Sequence, residues 1–243
     1  MRNKTKLLIS PKTIEEAKIV ISAEVDFIDC KNPEEGSLGA NFPWIIKEMK
    51  ELIPKDSSQL LSATIGDFPN LPGSASLAAL GAVVSGADII KVGLKGPKNI
   101  KEGIKLMKAV VKAVKTYNTA IKVVTAGYAD FSRVDHCLDF LSIPIIAAES
   151  GADIAMLDTF IKDKKGIFDF LNVKQLSEFK EKANHLDLKI ALAGNLSKQD
   201  LSSIRKINPD IIGVRSMVCD GFDRNRGVIR LDLIEDLKSH LYI

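Results

Sequence analysis

The chain has 243 residues, 46% of them hydrophobic, and a formal charge of only +3 from 34 basic and 31 acidic side chains. That is enough apolar material for one large core, too much for a disordered polymer, and too even a charge balance to suggest nucleic acid as a partner. No apolar run approaches the roughly 20 residues that span a bilayer, so no membrane segment is expected. The basic start from Met1 to Lys6 is followed only by Leu7, Leu8 and Ile9, too short for a signal peptide. Three distant cysteines, Cys30, Cys137 and Cys219, suit neither a disulfide framework nor a zinc knuckle, and a cytoplasmic protein with reduced thiols is the expectation.

Eight short apolar runs, rich in Val, Ile, Leu and Ala without strict alternation, read as strands buried on both faces of a parallel sheet. The first, 6–10, precedes a helical pattern at 13–20, with a cap-like Thr13 and Glu16 at capping-box spacing. The second, 27–31, leads to Pro43 and Trp44, where Trp44 is expected to pack a helix start. The third, 60–65, precedes 74–84, a stretch of small and apolar residues expected as a helix buried against the sheet. After the fourth run, 88–94, comes an amphipathic helix at 100–115, with Ile104, Met107, Val111 and Val114 on one stripe. The fifth and sixth runs are 120–126 and 153–158; helices at 173–183 and 197–207 flank the seventh, 189–193, and 210–214 is the eighth. Gly86-Ala87-Asp88, Gly151-Ala152-Asp153 and Asn208-Pro209-Asp210 repeat one phrase, a helix stop followed by an aspartate that opens a strand. Eight βα units without a linker imply a single-domain TIM (β/α)8 barrel over 1–243; a doubly wound sheet, which usually has fewer strands, is the alternative.

In a barrel, chemistry gathers at the C-terminal strand ends. Asp29 and Lys31 share a face at the end of the second run, Lys91 falls late in the fourth, and Asp158 ends the sixth. Inward side chains of alternate strands share layers, so two lysines and two aspartates are expected to converge on one cavity. A buried ammonium is costly, and a neighbouring amine disfavours its charge further. The neutral amine can attack an aldehyde or ketone, and a second lysine or an aspartate can remove the proton made acidic by the Schiff base. Taken singly, each lysine reads equally well as half of a structural ion pair. Lys162, followed by Asp163, Lys164 and Lys165, is either a member of the site or part of a solvated charge run.

The loops after strands 7 and 8 are the usual phosphate site of this fold. Gly194, Asn195 and Ser197 follow the seventh run, and Arg215 and Ser216 follow the eighth. Gly194 would allow close backbone approach, and Arg215 a forked contact with phosphate. Alternatively Asn195 and Ser197 merely cap the next helix. The charged stretch from Asp223 to Gly227 reads either as part of this site or as an exposed loop. His136, His185 and His240 make no metal or triad pattern, and the glycines near Gly93 lack the frame of a dinucleotide fingerprint, so no metal and no cofactor is expected. Cys30, beside Lys31, is expected to point away from it, toward the helices.

The run Asp29-Cys30-Lys31-Asn32-Pro33-Glu34-Glu35-Gly36-Ser37-Leu38-Gly39-Ala40-Asn41-Phe42-Pro43-Trp44 strongly resembles the signature of the (5-formylfuran-3-yl)methyl phosphate synthases of methanofuran biosynthesis. Ile89-Ile90-Lys91-Val92-Gly93-Leu94 and Met156-Leu157-Asp158-Thr159-Phe160-Ile161-Lys162-Asp163 are similar to that family's other motifs, and the likeness covers nearly the whole chain. It implies a lyase that joins two molecules of glyceraldehyde 3-phosphate, with Lys31 as Schiff-base lysine, Lys91 as proton acceptor, and Asp29, Asp158 and Lys162 completing the site. Two triose phosphates less one phosphoric acid and two waters leave a six-carbon furan aldehyde monophosphate with no net redox change, consistent with the missing nucleotide fingerprint. Two other readings stand beside it. Asp29, Lys31 and Glu34 resemble the Asp-x-Lys-x-x-Asp pattern of orotidine-monophosphate-decarboxylase-like barrels, with Glu34 in place of the last aspartate. A non-catalytic barrel that binds phosphorylated metabolites is the third. A homo-oligomer is compatible with each, since aliphatic barrel exteriors often pair.

Overall fold

In a computed structural model that describes residues 4–241, the apolar runs form eight strands. The first three residues of the basic start lie outside the described residues. The strands are β1 (Lys6–Ile9), β2 (Phe27–Cys30), β3 (Leu60–Asp67), β4 (Ile89–Gly93), β5 (Lys122–Tyr128), β6 (Ile154–Asp158), β7 (Lys189–Leu192) and β8 (Ile211–Val214). All neighbours are parallel, and β8 pairs with β1, so the sheet closes on itself in sequence order. Eight helices surround it: α1 (Ile14–Ser22), α2 (Pro43–Leu52), α3 (Pro72–Val84), α4 (Ile100–Tyr117), α5 (Ser142–Ser150), α6 (Val173–His185), α7 (Leu201–Ile207) and α8 (Leu231–Leu241). Continuous apolar strands are what this arrangement demands, because one face meets the helices and the other fills the barrel.

Inside the barrel, the even strands contribute layers in step. Phe27, Ile89, Ile154 and Ile211 belong to the lower interior core. Two residues on along those strands come Asp29, Lys91 and Met156, and two further on Lys31, Gly93, Asp158 and Arg215. Apolar floor and polar top follow from where water can reach: the base must be filled, and the open end is free to carry chemistry.

The repeated aspartate has a structural role at the opposite end. Asp26, Asp88, Asp153 and Asp210 each accept the backbone N–H of the preceding odd strand, from Leu7, Leu61, Val123 and Ile190, at 2.8–2.9 Å. Lys50 of α2 pairs with Asp88, and Lys115 of α4 with Asp153, so the same carboxylates also fasten helices.

Some expectations are revised. The 74–84 segment is helical but buried on one face alone: Leu77 and Val84 are 72% and 63% exposed, while Ala75, Ala79, Ala82 and Val83 are buried. Trp44 stays exposed, stacked on Phe42 with ring centroids 4.8 Å apart. The segment 197–207 is broken into a 3-10 turn and the short α7. Thr13 does accept the N–H of Glu16, but the Glu16 carboxylate turns to Lys12 N–H and to Arg215 instead of completing a capping box. Lys91 lies mid-strand, two residues before the end of β4, and β5 runs two residues past its expected limit, to Tyr128.

Candidate active site

At the end of β2, Asp29 is 1% and Lys31 9% exposed. Lys91 Nζ donates to Asp29 Oδ1 at 2.5 Å, and Ser10 Oγ at the end of β1 donates to Asp29 Oδ2 at 2.8 Å. Both oxygens are thus engaged, as polar atoms this deeply buried require. Asp158, at the end of β6, accepts from Thr159 N at 2.7 Å and from Lys162 Nζ at 2.8 Å. The β6 loop is anchored by Asp130, fully buried, whose carboxylate receives the N–H groups of Phe160 and Ile161. That anchor was not legible in the sequence; it fixes the turn that returns Lys162 to Asp158.

Lys31, Asp29, Asp158 and Lys162 line one cavity, together with Gly194, Asn195, Arg215 and Ser216. Lys91 lies deeper, in the closed interior of the barrel, on the far side of Asp29 from that cavity. Burial lowers the Lys31 ammonium pKa to about 8, against the pull of Asp29 and Asp158. Lys162 and Lys91 add smaller repulsions, so dehydration, more than a neighbouring amine, frees this lysine. Burial works to raise Asp158, but Lys162 and Lys31 overcome it and hold the carboxyl at about 2.

The expected phosphate residues separate into two groups. Gly194, with φ +105°, brings its backbone against Thr159, so that a Cβ would come within 3.0 Å of the Thr159 methyl. Ser216 Oγ donates to Asn195 Oδ1 at 3.1 Å, and Asn195 Nδ2 donates to Lys164 O at 2.6 Å, which ties three loops together. Ser197 is not at the cavity; its hydroxyl and N–H both go to Asp200, as a cap. Arg215 reaches the cavity wall, but its fork is already taken. Its Nη atoms donate to both Glu16 oxygens at 2.7 and 3.1 Å and to Ser10 O, and Nε donates to Arg224 O. The forked contact foreseen with phosphate is therefore made with Glu16, because a guanidinium 7% exposed needs an internal counter-ion. Cys30 faces the helix side, as expected, with burial raising its thiol to about 12.

A further polar couple escaped the sequence. Tyr128 Oη donates to Asp67 Oδ1, with the Phe160 ring edge-on to Tyr128. Gly93 makes room for it: a Cβ there would fall 2.2 Å from Asp67 Oδ1 and 2.7 Å from Tyr128 Oη. Burial raises both pKa values, Tyr128 well above its usual range. Tyr128 pairs in register with Asp158, so the couple adjoins the site. A glycine inside a buried strand was the one available signal. Glu34, the third member of the decarboxylase-like pattern, is exposed on a 3-10 turn and does not line the cavity.

The family model described as 4-HFC-P synthase matches residues 7–238. The chain is 52% identical to the (5-formylfuran-3-yl)methyl phosphate synthase of Methanococcus aeolicus, over 95% of this chain and 97% of that relative. It is also 52% identical to the synthase of the same name from Methanocaldococcus jannaschii, over 96% and 98%. Among solved structures, KGPDC from Streptococcus mutans superposes with a TM-score of 0.67 at 14% identity, covering 98% of both chains. Orotidine 5'-monophosphate decarboxylase from Methanocaldococcus jannaschii gives 0.64 at 18%, covering 98% of this chain and 100% of that one, a likeness of fold alone. With a matching family model across nearly its full length and half its residues shared with those synthases, the chain belongs to the 4-HFC-P synthase family.

Proposed function

We propose that this chain condenses two molecules of glyceraldehyde 3-phosphate into (5-formylfuran-3-yl)methyl phosphate, the furan unit of methanofuran, by way of a Schiff base on Lys31. The observation that carries this reading is the Lys31 amine, buried at the cavity wall with its pKa lowered to about 8, in a member of this family. The neutral amine adds to the aldehyde carbon of one triose phosphate and water leaves, giving an iminium that acidifies the adjacent C–H. Lys91 and Asp29, joined by a short ion pair, take up that proton together: Lys91 passes its own proton to the Asp29 carboxylate and, as the free amine, accepts the one from carbon. The resulting enamine supplies electrons for the C–C bond to the second aldehyde; one C–O bond breaks to release phosphate, ring closure and dehydration release two waters, and one water returns to cleave the imine, freeing the aldehyde product and the Lys31 amine. Lys162 keeps Asp158 ionised beside the iminium, where its negative charge opposes the positive charge that forms. Asp67, raised by burial, is better suited than Asp158 to give up a proton in the dehydrations.

The test is borohydride reduction of the protein mixed with glyceraldehyde 3-phosphate. A reduced adduct is expected on the peptide containing Lys31, with a furan-aldehyde absorbance and free phosphate appearing in the unreduced reaction. Turnover without any adduct would exclude the Schiff base.

A further inference from the structure

Outside the cavity at Lys31 lies a second hollow of about 350 Å³. Lys162, Asn195, Ser216 and Arg224 line both, so the two compartments share a wall. Lys164 and Lys165, with Gly221, Phe222, Asp223 and Asn225, complete the outer one. Its lining holds four cations and a single carboxylate, Asp223, which already accepts the N–H groups of Asn225 and Arg226. Lys162 is paired with Asp158. Arg224, Lys164 and Lys165 make no ion pair within 4 Å, and none of their side chains donates a hydrogen bond among the described residues. Arg224 is half-buried, and burial lowers its guanidinium against the pull of Asp158.

The backbone presents these groups firmly. Arg224 O is held by Arg215 Nε at 3.0 Å, so its side chain is free while its main chain is not. Lys164 sits in the left-handed region at φ 74°, unfavourable for a residue with a Cβ, and is pinned there by Asn195 Nδ2 on its carbonyl.

We propose that this outer hollow is a second phosphate-ester site, which holds the phosphate of the second triose phosphate while the first is bound to Lys31. The inference rests on the condensation proposed above, since only a reaction between two phosphorylated molecules needs two such sites. Three unpaired cations on two loops offer several N–H donors to one phosphate, and Asn195 sets the spacing between the loops.

Lys164→Gln with Lys165→Gln, together, tests it, since neither side chain is buried or assigned to the chemistry. In calorimetric titration with inorganic phosphate at low salt, the double variant is expected to bind one phosphate fewer per chain than the parent. With glyceraldehyde 3-phosphate, its KM should rise about tenfold while kcat stays within about twofold and borohydride still traps Lys31. Arg224→Gln should give the same pattern. Equal phosphate stoichiometry and equal KM in parent and double variant would overturn the second site. Absence of a Lys31 adduct in the parent would instead remove the condensation, and the phosphate titration would still report on the hollow by itself.

Discussion

Lys31 is held in a place that costs its charged form. A fall from the ordinary 10.5 to about 8 corresponds to about 3 kcal/mol against the ammonium. At pH 7 roughly a tenth of the molecules would then carry a neutral amine, against about one in three thousand for a solvated lysine. The rate of adduct formation should therefore climb about tenfold per pH unit below pH 7 and level off above about pH 8, in a stopped-flow or trapping measurement. The same displacement acts on stability. Between pH 8 and 10.5 the unfolded chain binds the proton that the folded chain has lost, so stability rises with pH across that window. Lys31→Met should abolish turnover, flatten that slope, and raise the melting temperature at neutral pH; a lower melting temperature would show that the lysine is a structural ion pair. Asp29 and Lys31 were legible as candidates because two residues apart on a strand is a shared face. The Asp67–Tyr128 couple was not, because it depends on how far two strands extend and on a glycine that clears the space between them.

Among elements, the pair Glu16–Arg215 decides the geometry between the start and the end of the chain. It joins α1 to the end of β8, both side chains are under 8% exposed, and the same Arg215 holds Ser10 O and Arg224 O. Glu16→Ala leaves a guanidinium buried without its counter-ion and should cost about 3 kcal/mol in denaturant unfolding. Glu16→Ala combined with Arg215→Met should recover much of that loss, because two buried charges are removed together. If the double variant were no more stable than the single one, the pair would be contributing more than mutual neutralisation. The sequence suggested Arg215 for phosphate because it follows strand 8. It did not indicate that Glu16, 199 residues away, would take up the fork.

Across the whole molecule, acid should act on both ends of the barrel at once. Asp158 at the top is held at about 2 and Asp153 at the bottom is lowered by its lysines against the effect of burial. Each contributes stability that is present above about pH 4 and is lost as pH falls toward its folded value. For Asp158 that amounts to up to about 2 kcal/mol. Melting temperature followed from pH 5 to pH 2 should drop most steeply below pH 4, and Asp158→Asn should start lower but lose less across the same range. Identical slopes in parent and variant would mean that the top of the barrel contributes nothing to acid sensitivity.

The sequence by itself determined the number and order of strands, the enclosure of the sheet, the bottom aspartates and the candidate lysines, because each of these follows from local periodicity and from the cost of burying charge. Tertiary structure alone decided which polar groups are spent on one another. Closing the barrel brought Glu16 to Arg215 and Asp67 to Tyr128, pairings set by three-dimensional distance between segments far apart in the chain, and it left Lys164 and Arg224 unpaired among the described residues on the wall of one hollow. A carboxylate and a cation in a linear sequence carry no mark of who their partner will be; only the folded distance and the loss of water between them assign it.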